Sequence, residues 1–252
     1  MIGKKILDGM KDALWPRRCA VPDCGRPSDR PGSYICSRCL ATLPWFDEYA
    51  KSAFAYLSPV AALVKKFKFN GARHLARDFA ALLARSFEKK HDAAEVDLVV
   101  PVPLHPRRLR ERGFNQSALL AASFAKLLGR QFDGRSLVRI RDTEHQARST
   151  GEERRRNLKG AFQVVAPENV RGRMVVLIDD VITTGSTINE CVATLVGAGA
   201  YRVQAFALAK ALLDEDLGED FSDVKESFTK GASKFPQSGA AVPYGWRRRV
   251  VV

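Results

Sequence analysis

The stretch VVLIDDVITTGST at residues 175–187 constrains the fold more than any other part of the chain. An apolar run reads as a strand, two adjacent carboxylates, Asp179 and Asp180, follow it, and a loop of hydroxyls and glycine leads straight into a helix. In an open parallel sheet, ligands bind at that carboxyl edge. Thr183, Thr184, Gly185, Ser186 and Thr187 can wrap a phosphate with backbone N–H groups and hydroxyls, and the helix N-terminus behind them adds a favourable dipole. Asp179 and Asp180 repel phosphate, so their partners are sugar hydroxyls or a divalent cation. Phosphate loop and vicinal acids together describe a sugar phosphate gripped by its 5′-phosphate and its ring diol. Two acids that merely open a helix are the plainer reading, but that reading leaves the hydroxyl cluster unexplained.

The surrounding sequence alternates β-rich runs with helical periods, the order that builds a parallel sheet covered on both faces. FAYLSPV, DLVVPVP, SLVRIR, MVVLI and RVQAFALA read as five strands. Leu75, Phe79, Leu82 and Leu83 mark one helix, Leu120, Phe124, Leu127 and Leu128 a second, with Asn115 as its cap, and residues 186–196 a third. The expected fold is α/β, an open, mainly parallel five-stranded sheet with flanking helices. Residues 141–160 carry dense charge without periodicity, as a lid would, and from about Ala211 the pattern is lost. The expected divisions are therefore an N-terminal segment (1–15), a cysteine-rich ribbon (16–45), the α/β domain (46–210) and a disordered or peripheral tail (211–252).

The ribbon is defined by Cys19-x4-Cys24 and Cys36-x2-Cys39. Paired short spacings bring four thiolates into one tetrahedral shell, and the turn-rich GRPSDRPGSYI between the pairs has too little apolar content to fold unaided. Structural Zn²⁺ on Cys19, Cys24, Cys36 and Cys39 is the favoured reading, with two disulfides as the rival. No secretion signal precedes the ribbon, and no apolar run reaches the roughly 18 residues of a membrane span. A cytoplasmic, reducing address follows, and it favours metal. Cys191, alone in TINECVATLVGAG, reads as a small buried apolar residue.

Residues 65–160 hold 22 Lys/Arg against 11 Asp/Glu, nearly all of the net charge of +13. A basic field of this kind attracts an anionic partner, either a phosphate-rich small molecule or nucleic acid, unless it is simply a solvated face.

The residue pattern of 175–187 resembles the phosphoribosyl pyrophosphate signature of type I phosphoribosyltransferases. The resemblance implies that Asp179 and Asp180 bond the ribose hydroxyls and that residues 183–187 hold the 5′-phosphate. PVPLHPRRLRERGFNQ (101–116), TEHQARSTGEERRRNLKGAF (143–162) and the four cysteines resemble, more narrowly, the ComF family of competence proteins: phosphoribosyltransferase-like domains with an N-terminal zinc ribbon, associated with DNA uptake in natural transformation. It implies a pyrophosphate loop at Leu104, His105 and Arg107, backed by Arg108, Arg110 and Arg112. It also implies a closing loop whose family-matching positions are Thr143, Gln146, Arg156 and Asn157. Mg²⁺ would accompany phosphoribosyl pyrophosphate.

Two functions follow as expectations. One is a phosphoribosyltransferase, working by positioning and electrostatics rather than covalent attack. The other is a module that binds single-stranded DNA, with Trp45, Phe46, Phe67 and Phe69 as stacking groups beside Lys65, Lys66 and Lys68, and that belongs to the DNA-uptake machinery. A nucleobase-salvage or purine-pathway transferase with no DNA role is the alternative. VKKFKF could equally place both of its phenylalanines in the core.

Overall fold

The computed structural model describes residues 16–45, 51–143 and 156–212. Its centre is a parallel sheet of β1 (Ser52–Ala55), β2 (Leu98–Pro101), β3 (Gln131–Phe132), β6 (Met174–Ile182) and β7 (Arg202–Lys210), in the order β1-β7-β6-β2-β3. A separate antiparallel pair joins β4 (Leu137–Arg139) to β5 (Phe162–Val164). The main helices beside the strands are α1 (Ser37–Ala41), α2 (Val60–Phe69), α3 (Leu75–Glu88), α4 (Pro106–Arg112), α5 (Gln116–Leu128) and α6 (Ser186–Gly197).

Successive strand side chains point to opposite faces, so each strand feeds two apolar layers. Val99, Val176, Ile178, Phe206 and Leu208 pack with α2, α3 and α5, whereas Leu98, Val100, Val175, Leu177, Ala205 and Ala207 pack with α6 and the β4–β5 pair. Burial on both faces is why these strands read as unbroken apolar runs. In the first layer, Phe87 meets Phe124 and Phe206 edge-on, each at 5.4 Å between centroids, a geometry that adds about 1 kcal/mol per pair beyond area burial.

The ribbon is not a detached bead. Cys19, Val21, Ile35, Cys36 and Leu43 share the first apolar layer with α2 and α3. Lys66 Nζ donates to the Ala20 carbonyl at 2.9 Å, the Tyr34 N–H donates to Asp78 Oδ2 at 2.8 Å, and the Tyr34 ring lies 4.2 Å from that of His74.

Three local expectations are corrected. SLVRIR does not supply a strand of the main sheet: Leu137–Arg139 pairs antiparallel with Phe162–Val164, and the fifth sheet strand is Gln131–Phe132. Two residues are too few to show a period, which hid β3 in the sequence. The segment after β1 is helical: α2 buries Phe67 completely and leaves Phe69 66% exposed, so VKKFKF neither offers both phenylalanines for stacking nor places both in the core. Finally, most of the arginine-rich stretch after β2 is the short helix α4, with Pro106 in its first turn, and left-handed Gly113 closes it. Phe46, Gln146 and the residues beyond 212 lie outside the described residues.

Candidate functional site

The strand order places a topological switch point between β2 and β6. From β2 the chain proceeds through α5 to β3 on one side, and from β6 through α6 to β7 on the other. Because α5 and α6 cover opposite faces, the loops leaving β2 and β6 diverge and open a crevice at the carboxyl edge. Both phosphate-binding segments expected from the sequence border that crevice.

Asp179 and Asp180 lie within β6, two residues short of its end. Ser117 Oγ, at the start of α5, donates to Asp179 Oδ1 at 2.9 Å, and the Asp180 N–H donates to the same oxygen at 2.8 Å. Asp180 is buried and pairs with Lys68 Nζ of α2 at 3.0 Å. Burial, and then the charge of Asp180, push the Asp179 carboxyl up to about 7, against the opposing pull of the Ser117 hydroxyl, the Lys68 ammonium and the Asp180 N–H. Two acids forced together in a crevice in this way are typical of a ligand site.

Beyond β6, Thr183 and Thr184 are exposed, and Gly185 turns the chain at φ 76° as the N-cap of α6. Thr184 Oγ1 and Ser186 Oγ lie 3.0 Å apart, and the Ser186 N–H reaches Thr184 Oγ1 at 3.5 Å. Thr187 occupies the first turn of α6. Hydroxyls, a glycine turn and a helix N-terminus therefore converge as a phosphate cradle requires.

Across the crevice, Leu104 and His105 follow β2, and His105 caps α4 by accepting the Arg107 N–H at 3.4 Å. Arg107 Nε pairs with Asp142 Oδ2 at 2.9 Å, and His105 Nδ1 lies 3.7 Å from the same oxygen. Arg112 is half-buried, and desolvation lowers its pKa despite the attraction of Asp180. Its guanidinium lies 4.9 Å from the centroid of the Phe69 ring.

The profile of the Phosphoribosyl transferase domain family matches residues 117–235. The chain is 37% identical to DNA utilization protein YhgH of Salmonella typhi over 203 residues, covering 79% of this chain and 88% of that protein. It is 33% identical to Competence protein F of Haemophilus influenzae over 198 residues, 76% of this chain and 86% of that one. The chain belongs to the ComF family. Among solved structures, this ComF-family chain is similar to the glutamine phosphoribosylpyrophosphate amidotransferase of B. subtilis. That match has 22% identity and a TM-score of 0.37, covers 54% of this chain, and spans 26% of that enzyme's length.

In this ComF-family chain the four ribbon cysteines are unpaired thiols whose sulfurs all lie within 4.8 Å of one another. Cys24 Sγ and Cys36 Sγ are 3.8 Å apart, the edge of a tetrahedron with metal–sulfur bonds of about 2.3 Å. The Cys36 N–H points at Cys19 Sγ at 3.5 Å. Burial raises the Cys19 and Cys39 thiols, and the neighbouring sulfurs push Cys39 further, crowding that a cation would relieve. The donor set fits zinc. A turn from Val21 to Cys24, with Asp23 at φ 60°, absorbs the two extra residues of the x4 spacing. Cys191 is fully buried in α6, away from the ribbon cluster.

The other family-matching positions bracket the segment after β4. Arg139 Nη2 donates to the carbonyl and the hydroxyl of Thr143. Arg141 donates to the carbonyls of Asn157 and Lys159, at 3.4 and 2.8 Å, so the two ends of the segment meet. Sequence reasoning did not place Lys68, Ser117 or Asp142 at this crevice, and read Lys68 only as a basic neighbour of candidate stacking residues. Ser117 was within reach of it, two residues beyond the cap Asn115 at the carboxyl edge; nothing local marks the other two. No helix among the described residues is long and apolar enough to cross a membrane.

Proposed function

We propose that the protein binds phosphoribosyl pyrophosphate or a related ribose phosphate at the β2–β6 crevice and works in the handling of incoming DNA. The observation that carries the reading is the meeting of the Asp179–Asp180 pair, the 183–187 cradle and the arginine-bearing α4 at one switch point. Thr183, Thr184, Gly185, Ser186 and Thr187 hold the 5′-phosphate. Asp179 and Asp180 accept hydrogen bonds from the ribose diol. Leu104 and His105, through their backbone, and Arg107 and Arg108 hold the pyrophosphate, with forked donors suited to phosphate oxygens. Thr143, Gln146, Arg156 and Asn157, the family-matching positions, are the candidates to close over the bound pyrophosphate. Mg²⁺, when bound, would supply charge between the pyrophosphate and the sugar, and Zn²⁺ on the four cysteines would hold the ribbon.

As a transferase, the site orients the anomeric carbon so that its bond to pyrophosphate breaks as a base nitrogen bonds to it, while the fixed charges stabilise the departing anion. The DNA role rests on the relatives named for DNA utilization and competence, and on the basic middle of the chain. Single-stranded DNA is the fitting partner. Of the described aromatic residues expected to stack, Phe67 is buried, Trp45 is packed against Phe54 at 4.4 Å, and Phe69 is exposed beside Arg112.

The test is calorimetric titration of the zinc-loaded protein with phosphoribosyl pyrophosphate and Mg²⁺, alongside anisotropy with a labelled single strand at two salt concentrations. Binding of the sugar phosphate that disappears in Asp179→Asn/Asp180→Asn, with strand binding that weakens steeply in salt, is the expected result. Absence of sugar-phosphate binding overturns the pocket reading. Base-dependent pyrophosphate release with no strand affinity would instead favour the salvage transferase.

A further inference from the structure

We propose that Lys68 is a positioning residue of the acid pair, gripping Asp180 so that both acid side chains stay oriented to accept the ribose diol. The proposal rests on the reading of the crevice as a ribose-phosphate site. It concerns a residue outside the strand–acid–loop signature, and it names what makes two vicinal acids usable there.

Two acids side by side, Asp180 buried and Asp179 half-buried, oppose each other's charge, and a proton retained on Asp179 removes an acceptor that a sugar hydroxyl needs. A cation fixed at the pair resolves the conflict. Lys68 Nζ is 3.0 Å from Asp180 Oδ1, with the Asp180 side chain 9% and the Lys68 side chain 21% exposed. Its charge is one of the influences holding the Asp179 carboxyl down. The other groups around the pair act differently. Ser117 from α5 is a neutral donor. Arg112 from α4 also feels the charge of Asp180, but it is half-buried with its guanidinium packed on Phe69. From α6, the Cys191 thiol has its pKa raised by burial and by the Asp179 charge, and so stays neutral.

Lys68 is also held in place, unlike a surface lysine free to sample many rotamers. It sits in the last turn of α2, between buried Phe67 and exposed Phe69. Phe67 packs on Phe79 and Phe114, at 5.4 and 6.2 Å between centroids. The Lys68 carbonyl accepts from Gln116 Nε2 at 3.5 Å, and Lys66, on the other side of the helix, is bound to the Ala20 carbonyl of the ribbon. The ribbon thus fixes one side of α2, and the opposite side delivers the ammonium to Asp180. An ammonium carries three donors, so Lys68 can hold Asp180 Oδ1 and still offer a proton to a ligand oxygen.

The test uses the full zinc-loaded chain. Affinities for ribose 5-phosphate, and for phosphoribosyl pyrophosphate with Mg²⁺, are measured from pH 5.5 to 9 for the wild type, Lys68→Met, Lys68→Arg and the exposed control Lys89→Met. Lys68→Met is expected to need a pH about one unit higher for half-maximal affinity and so to bind about fivefold more weakly at pH 7, one unit being tenfold in protonation. Lys68→Arg is expected to keep the wild-type midpoint, and Lys89→Met to match the wild type. A loss that is uniform across pH and equal in the Met and Arg variants marks a purely structural role and overturns the proposal, as does an unchanged Lys68→Met.

A ligand-independent arm follows the aspartate carboxylates of the free protein by ¹³C NMR. The Asp179 midpoint should rise in Lys68→Met and stay put in Lys68→Arg. If the wild type binds neither sugar phosphate, the functional reading fails while this titration still decides the role of Lys68. If Lys68→Met does not fold, Lys68→Gln takes its place in both arms.

Discussion

Asn115 Nδ2 donates to the Val102 carbonyl at 3.0 Å, tying the start of α5 to the chain just beyond β2. The same side chain caps the helix, its Oδ1 accepting the N–H groups of Ser117 and Ala118 at 3.0 and 3.3 Å. One amide therefore anchors the element that carries Ser117 to Asp179.

Asn115→Ala should cost about 1–2 kcal/mol of stability, the usual loss of a cap, and should weaken ribose-phosphate binding through Ser117. Asn115→Asp keeps the cap and forfeits the donor to Val102, so it should recover most of the stability. Chemical denaturation of the three proteins checks both expectations.

Asp179 ties stability to pH. Its folded pKa of about 7 stands above the ordinary value of 3.8, so between those limits the folded state retains a proton that the unfolded state has released. Stability therefore falls as pH rises through that window, and the penalty is complete above it. Asp179→Asn does not titrate, and its amide oxygen can still accept from Ser117. The melting-temperature difference, variant minus wild type, should be near zero at pH 3.5, grow steadily to pH 7 and then level off, corresponding to no more than about 4 kcal/mol. Buried Asp78 and the two histidines with lowered pKa, His74 and His91, titrate alike in both proteins and drop out of the difference.

Metal removal should be felt beyond the ribbon. Purified protein is expected to hold about one zinc per chain. Chelation or Cys36→Ser should lower the melting temperature and speed amide exchange in α2 and α3, because Cys19, Cys36 and Ile35 share their apolar layer. Cys191→Ser should leave the metal content unchanged. Equal metal content in Cys36→Ser and the wild type would count against the assigned ligands.

Gly185 turns at φ 76°, and a Cβ there would meet nothing within 4 Å. The cost of Gly185→Ala is thus backbone strain alone, about 1–2 kcal/mol. Since the strain is relieved by moving the cradle, sugar-phosphate affinity should fall further than the melting temperature suggests. Calorimetry and thermal unfolding of the variant provide the comparison.

What is local was legible in the sequence. The strand that becomes β6, its two acids, the glycine-turned loop and the helix behind it lie within one short stretch, where periodicity and residue chemistry act between near neighbours. The cysteine pairs and the Asn115 cap were readable for the same reason. The chain's own pattern also led to five strands, yet assigned one of them to SLVRIR in place of Gln131–Phe132, since strand pairing depends on which distant edge is available.

The tertiary structure alone decided what completes the site. Lys68 and Asp180 meet because α2 is wedged between the ribbon and α5, and Ser117 reaches Asp179 across 62 residues of sequence. Arg107 meets Asp142 because the β4–β5 pair lies beside α6 and not in the main sheet. No local spacing encodes such contacts. They follow from the register in which whole apolar faces pack, and that register is settled only when both layers of the sheet close together.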